Sequence, residues 1–441
     1  MLPVEVEMHP EGRMSFVERR KYLLIMQRRY KKASWKEKSR LLDEMEIVTG
    51  LHRKSLIRLM NSPLDIKRKP RRRERGPKYG PQVRYVISLI AKALDYPSAE
   101  RLKPQLVTMA RRLAAWGEIQ VDQNTLAKLA QISESTVRRI LDSISRDKPR
   151  PQARSTFRRK SFLRNIPQQP IPWDVAEPGH FEVDLVHHCG PSASGEYVCT
   201  LQMVDVATGW VELWAVLGRS YLVMRDAFIH ILSRVPFPIK EIHPDNGSEF
   251  FNHHLLRFLR KALPQVRFSR NRPYHKNDNR FVEQRNHFVV RAYIGYDRLD
   301  TVAQTILLNK IYQKLWIYHN FFLPVRKTKE KIIIPSQGAK SKVKRVYDRA
   351  RPPLERLEES EVVEAERLER LKRLRDSINP LRLREEIYSL IEELFSLPGT
   401  RPGVTENVYE TLNLPLSLPE KLLQPVTLSF DNQRPTGNII I

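Results

Sequence analysis

Cysteine is almost absent from this 441-residue sequence, which contains only Cys189 and Cys199. Two cysteines exclude a zinc finger and a disulfide scaffold. We expect two buried thiols, with contact across a hairpin as the alternative. Long apolar runs are also missing: no stretch reaches the ~18 residues of a spanning helix, and no signal-peptide pattern follows Met1. These absences predict a cytoplasmic protein with no membrane partner.

Glycine-rich phosphate loops and acidic charge are the other deficits. No segment of the GxGxxG or Walker kind occurs, which excludes a nucleotide-binding fold that depends on one. Asp and Glu total 50 against 77 Lys and Arg, so the formal net charge is +27. Because each neutralised phosphate releases condensed counterions, this surplus favours nucleic acid as the partner. Unspecific adhesion to nucleic acid or acidic membranes is the weaker alternative.

The length predicts about two to four domains, and residues 15–65 have the periodicity of a helix-turn-helix DNA-binding domain. Ser34 and Glu37 predict a capping box, and Gly50 interrupts the helix that follows. The apolar positions expected to face inward are Leu41, Leu42, Met45, Ile47, Val48, Leu56, Ile57 and Met60. The second helix carries Arg53 and Lys54 as expected DNA contacts. An ordinary αα-hairpin has the same pattern and is the alternative.

A second helix-turn-helix DNA-binding domain is predicted over residues 82–147, between the basic linkers 66–81 and 148–174. Ser133 ends its turn and caps the next helix. The residues expected to face inward are Leu126, Leu129, Val137, Ile140 and Leu141. The residues expected to face a major groove are Glu134, Ser135, Arg138 and Arg139. Arg158 and Arg159 in the second linker are expected along a phosphate backbone.

From residue 175 to 325 the periodicity changes to that of an α/β domain. Helices are predicted over 221–234, 249–262 and 279–296. Strands are predicted over 181–187, 197–205, 210–216, 239–243 and 266–269. The order βββαβαβα describes a mixed five-stranded sheet flanked by helices, and it differs from a doubly wound Rossmann fold.

Three acidic residues stand where such a sheet would bring them together. Asp184 lies inside the apolar run HFEVDLV, Asp245 ends a later run, and Glu283 lies on the last predicted helix. Such carboxylates can hold two divalent ions about 3.5–4 Å apart. Mg²⁺ suits hard oxygen ligands, with Mn²⁺ as an alternative ion. Burial of an unpaired Asp184 is costly, whereas Asp245 alone also fits a turn and Glu283 alone an exposed helix.

Several neighbouring polar residues are left outside this set. His187 and His188 are expected to alternate across the strand end, one packed and one near DNA. His243 is expected to pack or hydrogen-bond beside Asp245, and Asp205 to form a strand-end turn.

Four segments carry a resemblance to a known family: His243–Phe250 (HPDNGSEF), the loop 272–279 that leads to Val282 and Glu283, and residues 318–322 and 341–348. They resemble the DDE transposase and retroviral integrase superfamily, in particular bacterial insertion-sequence transposases with an integrase-type core. The resemblance is strong over roughly 175–350. Pro244 stands where the family usually has Ser, and the family's zinc-binding His/Cys module is absent.

The resemblance implies a ribonuclease H-like catalytic core with Asp184, Asp245 and Glu283 as ligands of two Mg²⁺ ions. The implied activity is transposase activity: metal-dependent 3′-end cleavage at transposon ends and strand transfer into target DNA. Lys276, Arg280 and Arg285 are the expected phosphate contacts near Glu283, with Arg291 extending their face. The implied partners are double-stranded DNA and further copies of the chain in a multimer, in the bacterial cytoplasm at the nucleoid. A need for an accessory ATPase or regulatory protein is left open.

Two alternative functions keep the same residues. One is a structure-selective DNA nuclease on the same core, and the other is a non-catalytic repressor derived from a transposase. Beyond the core, residues 326–353 are expected to be a basic DNA-contacting segment. Residues 354–396 predict a charged helical region for protein contacts, and 397–441 a tail that is either an extended arm or disordered.

Overall fold

The computed structural model describes residues 14–64, 78–148, 175–244, 253–269, 286–334, 342–401 and 404–415. Chain contacts divide the protein into two units, with the boundary between Lys78 and Tyr79. In the ranges described, no helix is both long and apolar enough to cross a membrane.

The described residues of the first unit form three helices, α1 (Phe16–Lys32), α2 (Trp35–Thr49) and α3 (Arg53–Asn61). Gly50 ends α2 in the left-handed conformation, with φ 66°, which glycine adopts without a steric cost. The buried residues that form the core are Leu23, Met26, Leu41, Leu42, Met45, Leu56 and Met60. The predicted break between two helices is therefore confirmed, and α1 supplies the third side of the core.

Predictions of two kinds are wrong in this unit, one on helix capping and the other on which apolar residues are buried. The capping box forms at Ser15 and Glu18 of α1, whereas the side chain of Ser34 caps no backbone amide among the described residues. Ile47 is 83% exposed. It lies two positions, or about 200° around the helix, from the buried Met45, and so points away from the core.

Val48 and Ile57 are also exposed, contrary to the prediction. Ile57 follows the buried Leu56 directly, and one helical step turns its side chain by about 100°. A small three-helix core buries a narrow stripe on each helix, so not every apolar residue in a run reaches it.

The second unit begins with five helices, whose bounds are α4 Pro81–Ala93, α5 Ala99–Leu102, α6 Leu106–Ala115, α7 Gln123–Gln131 and α8 Glu134–Leu141. Between α7 and α8, Ile132 is buried and the Ser133 hydroxyl accepts the Thr136 amide at 3.3 Å. The predicted turn and cap are therefore confirmed. The predicted outward positions Glu134, Ser135, Arg138 and Arg139 are exposed.

A five-stranded sheet follows, with strands β1 His180–His187, β2 Val198–Asp205, β3 Val211–Leu217, β4 Glu241–Pro244 and β5 Arg267–Phe268. The strand order is β3-β2-β1-β4-β5. The pairs β1–β2 and β2–β3 are antiparallel, and β1–β4 and β4–β5 are parallel. Helix α9 (Tyr221–Arg234) connects β3 to β4, and α10 (His253–Ala262) precedes β5. The predicted mixed sheet of the ribonuclease H-like fold is confirmed.

The edge strand β3 is covered by a long helix, which follows the short α11 (Ala292–Ile294) and is labelled α12 (Val302–Phe321). The side-chain amide of Asn309 donates to the carbonyl of Ala215 at 2.8 Å and accepts its amide at 2.7 Å. Asn320 bonds both backbone groups of Val211 at 2.8 Å in the same way. These bonds satisfy β3 groups that would otherwise be open to pairing with another chain.

An ion pair lies inside the core between the sheet, α9 and α12. Arg234 donates its Nε to the Glu212 carboxylate at 2.9 Å, and both side chains have no exposed surface. The same carboxylate accepts the indole N–H groups of Trp210 at 2.9 Å and Trp316 at 2.7 Å. A buried charge pair is tolerated when further hydrogen bonds satisfy its polar atoms. The carboxylate is satisfied in this way, whereas Nη1 of Arg234 has no hydrogen-bond partner among the described residues.

Where the structure describes the C-terminal part, it contains two paired strands and three α-helices: β6 Thr328–Ile334, β7 Lys342–Tyr347, α13 Pro353–Ser360, α14 Ala365–Asp376 and α15 Pro380–Ser396. The apolar stripe of α15 packs within the chain, with Ile387 and Leu394 fully buried. Arg384 of α15 donates to both carboxylate oxygens of Asp147, at 2.9 and 3.0 Å, and to Asp95 at 3.3 Å. Helix α15 therefore links the helices α4–α8 to the rest of the unit through both its buried apolar residues and Arg384.

The beginning of the predicted tail also packs on the second unit. The His230 ring contacts the Leu414 carbonyl through Nε2 at 2.8 Å, and the Val302 amide donates to Glu406 at 3.1 Å. The described residues between 397 and 415 therefore lie against α9 and α12.

Candidate active site

Asp184 lies in the middle of β1, paired with β2 and one residue beyond the last residue of β1 that pairs with β4. It is half-buried, and its Oδ1 accepts the Leu185 amide at 2.9 Å. Directly opposite on β2 is Gln202, which is fully buried. Neither amide atom of Gln202 has a hydrogen-bond partner among the described residues. A carboxylate and an unsatisfied amide oxygen thus stand side by side on one sheet face.

The parallel pairing of β1 with β4 brings the end of β4 next to Asp184. Val183 pairs with Pro244, the last residue of β4. Asp245 follows Pro244 in the sequence but lies outside the described residues, as does Glu283. Among the described residues there is no group of three or more His, Cys, Asp or Glu side chains arranged to hold a metal ion.

Arg291 fastens the segment after Glu283 to the end of β1. Residues Asn286–Arg291 form a π-helical turn, a feature frequently found at functional sites. The Arg291 guanidinium donates to the carbonyls of His187 at 2.8 Å and Gly295 at 2.9 Å. Burial lowers the pKa of Arg291, while the Asp184 carboxylate is near enough to act in the opposite direction. The sequence predicted Arg291 as an extension of the phosphate-contacting face, but its guanidinium binds backbone carbonyls of the same chain.

The histidines near the strand end have structural partners. The buried His188 ring bonds the Thr200 hydroxyl at 2.8 Å, and burial holds the pKa of His188 well below its ordinary value. His187 is half-buried, with its Nδ1 3.2 Å from the Tyr197 hydroxyl. His243 is buried, and its Nδ1 lies 2.7 Å from the Ser269 hydroxyl. These contacts agree with leaving the histidines out of the metal-ligand set.

Asp205 behaves as predicted, and of the two thiols predicted to be buried only Cys199 is fully so. The Asp205 carboxylate accepts the Gly179 amide at 2.8 Å and the Thr208 amide at 2.7 Å, which makes it a turn residue. Cys189 and Cys199 are free thiols, one half-buried and one buried.

Glu241, at the start of β4, is a buried carboxylate that the sequence did not single out. It bonds His180 at 2.9 Å and Arg267 at 2.6 Å, and it accepts the Ser269 hydroxyl. Burial alone would raise the pKa of Glu241, but these hydrogen bonds outweigh it and lower the pKa to about 2. Glutamate at a strand start is common, so only the tertiary contacts reveal this one.

We expect Glu241 to make the stability of the protein depend on pH below neutrality. Because its folded pKa is lowered, its contribution is complete above the ordinary pKa of 4.5 and is lost as the pH falls towards about 2. The full contribution is on the order of 3 kcal/mol. Glu241→Gln should therefore lower the denaturant midpoint at pH 7, and the gap to wild type should shrink between pH 4.5 and 2. A gap that stays constant with pH, or an equal one for the exposed Glu393→Gln, would contradict this.

The expected DNA contacts divide into exposed cations, paired cations and residues outside the description. Lys54 and Arg139 are exposed. Arg53 donates to the Ser39 hydroxyl at 2.8 Å and pairs with Asp43 within the first unit, and Arg138 pairs with Glu100 of α5. The expected contacts outside the described residues are Arg158, Arg159, Lys276, Arg280 and Arg285.

Comparisons with known proteins agree with this geometry. The family model of the integrase core domain matches residues 174–276. The uncharacterized protein y4rM of Sinorhizobium fredii (strain NBRC 101917 / NGR234) is 33% identical over 348 residues, which is 78% of this chain and 95% of that protein.

Solved structures of viral integrases are more distant. A chain of the simian T-cell lymphotropic virus intasome, in complex with PP2A regulatory subunit B56 gamma, is 16% identical. The match covers 42% of this chain and 59% of that chain, with a TM-score of 0.24. The HTLV-2 integrase catalytic core domain in complex with magnesium (trimeric form) is 17% identical. That match covers 33% of this chain and 88% of that chain, and its TM-score is also 0.24. TM-scores this low add nothing to the family assignment.

Proposed function

The chain belongs to the DDE transposase and retroviral integrase superfamily, and on that premise we propose that it is a DNA transposase. It binds the ends of a transposon, cleaves their 3′ strands and joins them to target DNA. The observation that carries this proposal is the position of Asp184, on the central strand and beside the end of β4. The next residue in the sequence after β4 is the second acid, Asp245.

The residues proposed to hold Mg²⁺ are Asp184, Asp245 and Glu283. The donor set fits a hard divalent ion, because Asp184 is a half-buried carboxylate and the buried Gln202 amide beside it is unsatisfied among the described residues. Two bound ions, Mg²⁺ or its substitute Mn²⁺, would supply Lewis-acid activation of the attacking oxygen and stabilisation of the leaving oxygen. The chain itself positions the Asp184 carboxylate on the central strand, and Arg291 holds the turn Asn286–Arg291 against the end of that strand.

DNA contacts are proposed for the helical modules 15–65 and 82–147, the linkers 66–81 and 148–174, and the basic segment 326–353. These flank the proposed catalytic core 175–325. In the two helical modules the contacts are Arg53, Lys54, Arg138 and Arg139. The others are Arg158, Arg159, Lys276, Arg280 and Arg285. Two ends must be joined together, so a multimer of the chain is proposed. The region 354–396 and the tail 397–441 are assigned no DNA contact.

The deciding test is Mg²⁺-dependent strand transfer by the full chain on DNA that carries the native flanking sequence of its gene. Wild type should form joined products, and Glu283→Gln should lose them while it still binds DNA. The exposed Glu393→Gln is the matched control and should join normally.

Other outcomes separate the alternative functions. Cleavage without joining, even from a pre-cut end, would favour the nuclease. DNA binding with neither reaction in wild type would favour the repressor.

A further inference from the structure

The solvent-facing side of α10 carries only basic residues. Its opposite side is buried through Leu255, Phe258, Leu259 and Ala262. The exposed residues are His253, His254, Arg257, Arg260 and Lys261, which we name the basic face of α10. At 100° per residue, these five positions fall within an arc of about 120°. The helix contains no Asp, Glu, Asn or Gln, so nothing on it neutralises the face.

The three permanent cations of this face lack partners in the part of the chain that the structure describes. No hydrogen bond or ion pair there involves the side chains of Arg257, Arg260 or Lys261. Exposed cations elsewhere are often paired, as Arg138 is with Glu100 and Arg382 with Glu118. An unpaired row of like charges repels itself, and an anionic partner relieves that repulsion.

The helix beneath the face is firmly supported. Leu255 and Leu259 are buried in the same core as Phe228 of α9 and Ile242 of β4, and Phe268 of β5 packs against that core. The Arg225 guanidinium also lies over the Phe258 ring, 5.3 Å from its centre. The basic face is thus presented by a fixed element beside strand β4.

The face also lies at the opposite end of the sheet from the helices α4–α8. Those helices are attached on the β3 side, where Tyr318 of α12 donates to the Ala93 carbonyl at 2.8 Å. Strands β3 and β5 are the two ends of the sheet. Four strand spacings separate them, about 19 Å. A duplex held by α8 and a duplex held by α10 would therefore approach the catalytic sheet from different sides.

We propose that the basic face of α10 binds the phosphate backbone of duplex DNA without reading its sequence. Its side chains provide charge for phosphate contacts, and it lacks the Asn and Gln that read adenine and the Asp and Glu that read cytosine. A sequence-independent surface suits the target duplex, into which the transposon ends are joined. The assignment to the target duplex rests on the proposed function, whereas DNA binding by the basic face of α10 does not depend on it.

The test is the salt dependence of binding to a duplex of arbitrary sequence by the full-length triple variant R257A/R260A/K261A. Loss of three phosphate contacts should reduce the slope of log K against log salt by about 2.7 and weaken binding at 0.1 M salt by roughly 10²-fold. The substitutions are exposed and alanine favours helix, so folding should persist. The conservative R257K/R260K should keep the wild-type slope.

The matched control is K310A/R373A/R401A, three exposed cations that lie outside α10. Both triple variants change the formal net charge from +27 to 27 − 3 = +24, so a general charge effect would lower both slopes equally. An equal loss in the control, or an unchanged slope in the α10 variant, would overturn the proposal and leave the face as a solvated surface.

A joining assay then tests the role of the duplex. The α10 variant should cleave transposon ends normally but join them poorly, and an excess of target DNA should restore joining. Normal joining at low target concentration would overturn the assignment to the target. If wild type neither cleaves nor joins, the proposed transposase function fails, while the salt slopes still decide whether the face binds DNA.

Discussion

Asp184→Asn should abolish strand transfer, with a loss of at least about 10³-fold, while DNA binding is kept. Asparagine keeps the size of the side chain and can still accept the Leu185 amide, but it removes the negative charge that a divalent ion requires. Loss of charge stabilisation worth several kcal/mol corresponds to a rate effect of this size. Joined products should be measured under single-turnover conditions at saturating DNA.

The matched control is Glu177→Gln, which removes one exposed carboxylate shortly before β1. It should join DNA at nearly the wild-type rate. If Asp184→Asn joined as fast as this control, Asp184 would not be a metal ligand and the proposed site would fail. A loss caused by unfolding would be recognised by a lowered thermal midpoint.

Arg234→Met should destabilise the protein by about 3–5 kcal/mol, because it leaves the Glu212 carboxylate buried without its cation. Arg234 also donates to the Leu213 carbonyl at 2.8 Å and lies over the rings of Trp214 and Trp316. The loss therefore affects strand β3 and the helices α9 and α12. Chemical denaturation followed by tryptophan fluorescence would measure it, since three of the indoles surround this site.

Two further variants identify the cause. The double variant Glu212→Gln/Arg234→Met should recover part of the loss, because Gln carries no charge and still accepts the indole N–H groups. Lys314→Met breaks the exposed pair with Glu386, 2.7 Å apart, and should cost at most about 1 kcal/mol. A double variant less stable than Arg234→Met would show that packing, not charge, dominates.

Much of the sheet could be predicted from local pattern. The first three strands are continuous apolar runs separated by short turns, and the structure confirms their order and nearly their bounds. Strand β5 is shorter than predicted, at Arg267–Phe268, because it pairs only with the start of β4. Strand length at an edge depends on the partner, which periodicity does not contain.

Other misses have the same origin. The apolar stripe of α15 predicted a surface for another protein, yet it packs on the helices of its own chain. An apolar stripe on a helix predicts that other residues pack against it, but it does not indicate whether those residues belong to the same chain. Glu241 likewise resembles any strand-start glutamate until His180 and Arg267 reach it from β1 and β5.

By itself, the sequence predicted a polyanionic partner and determined the mixed sheet and the positions of Asp184, Asp245 and Glu283 along the chain. Charge balance, side-chain periodicity and motif spacing are properties of the sequence itself, and they do not depend on contacts between residues that are distant in the chain. Only the tertiary structure decided that β1 and β4 are parallel neighbours and that Gln202 lies opposite Asp184 on β2. It also decided that Arg384 of α15 binds the segment that follows α8 through Asp147. These are contacts between residues distant in sequence, and they form because the core selects one arrangement of the elements.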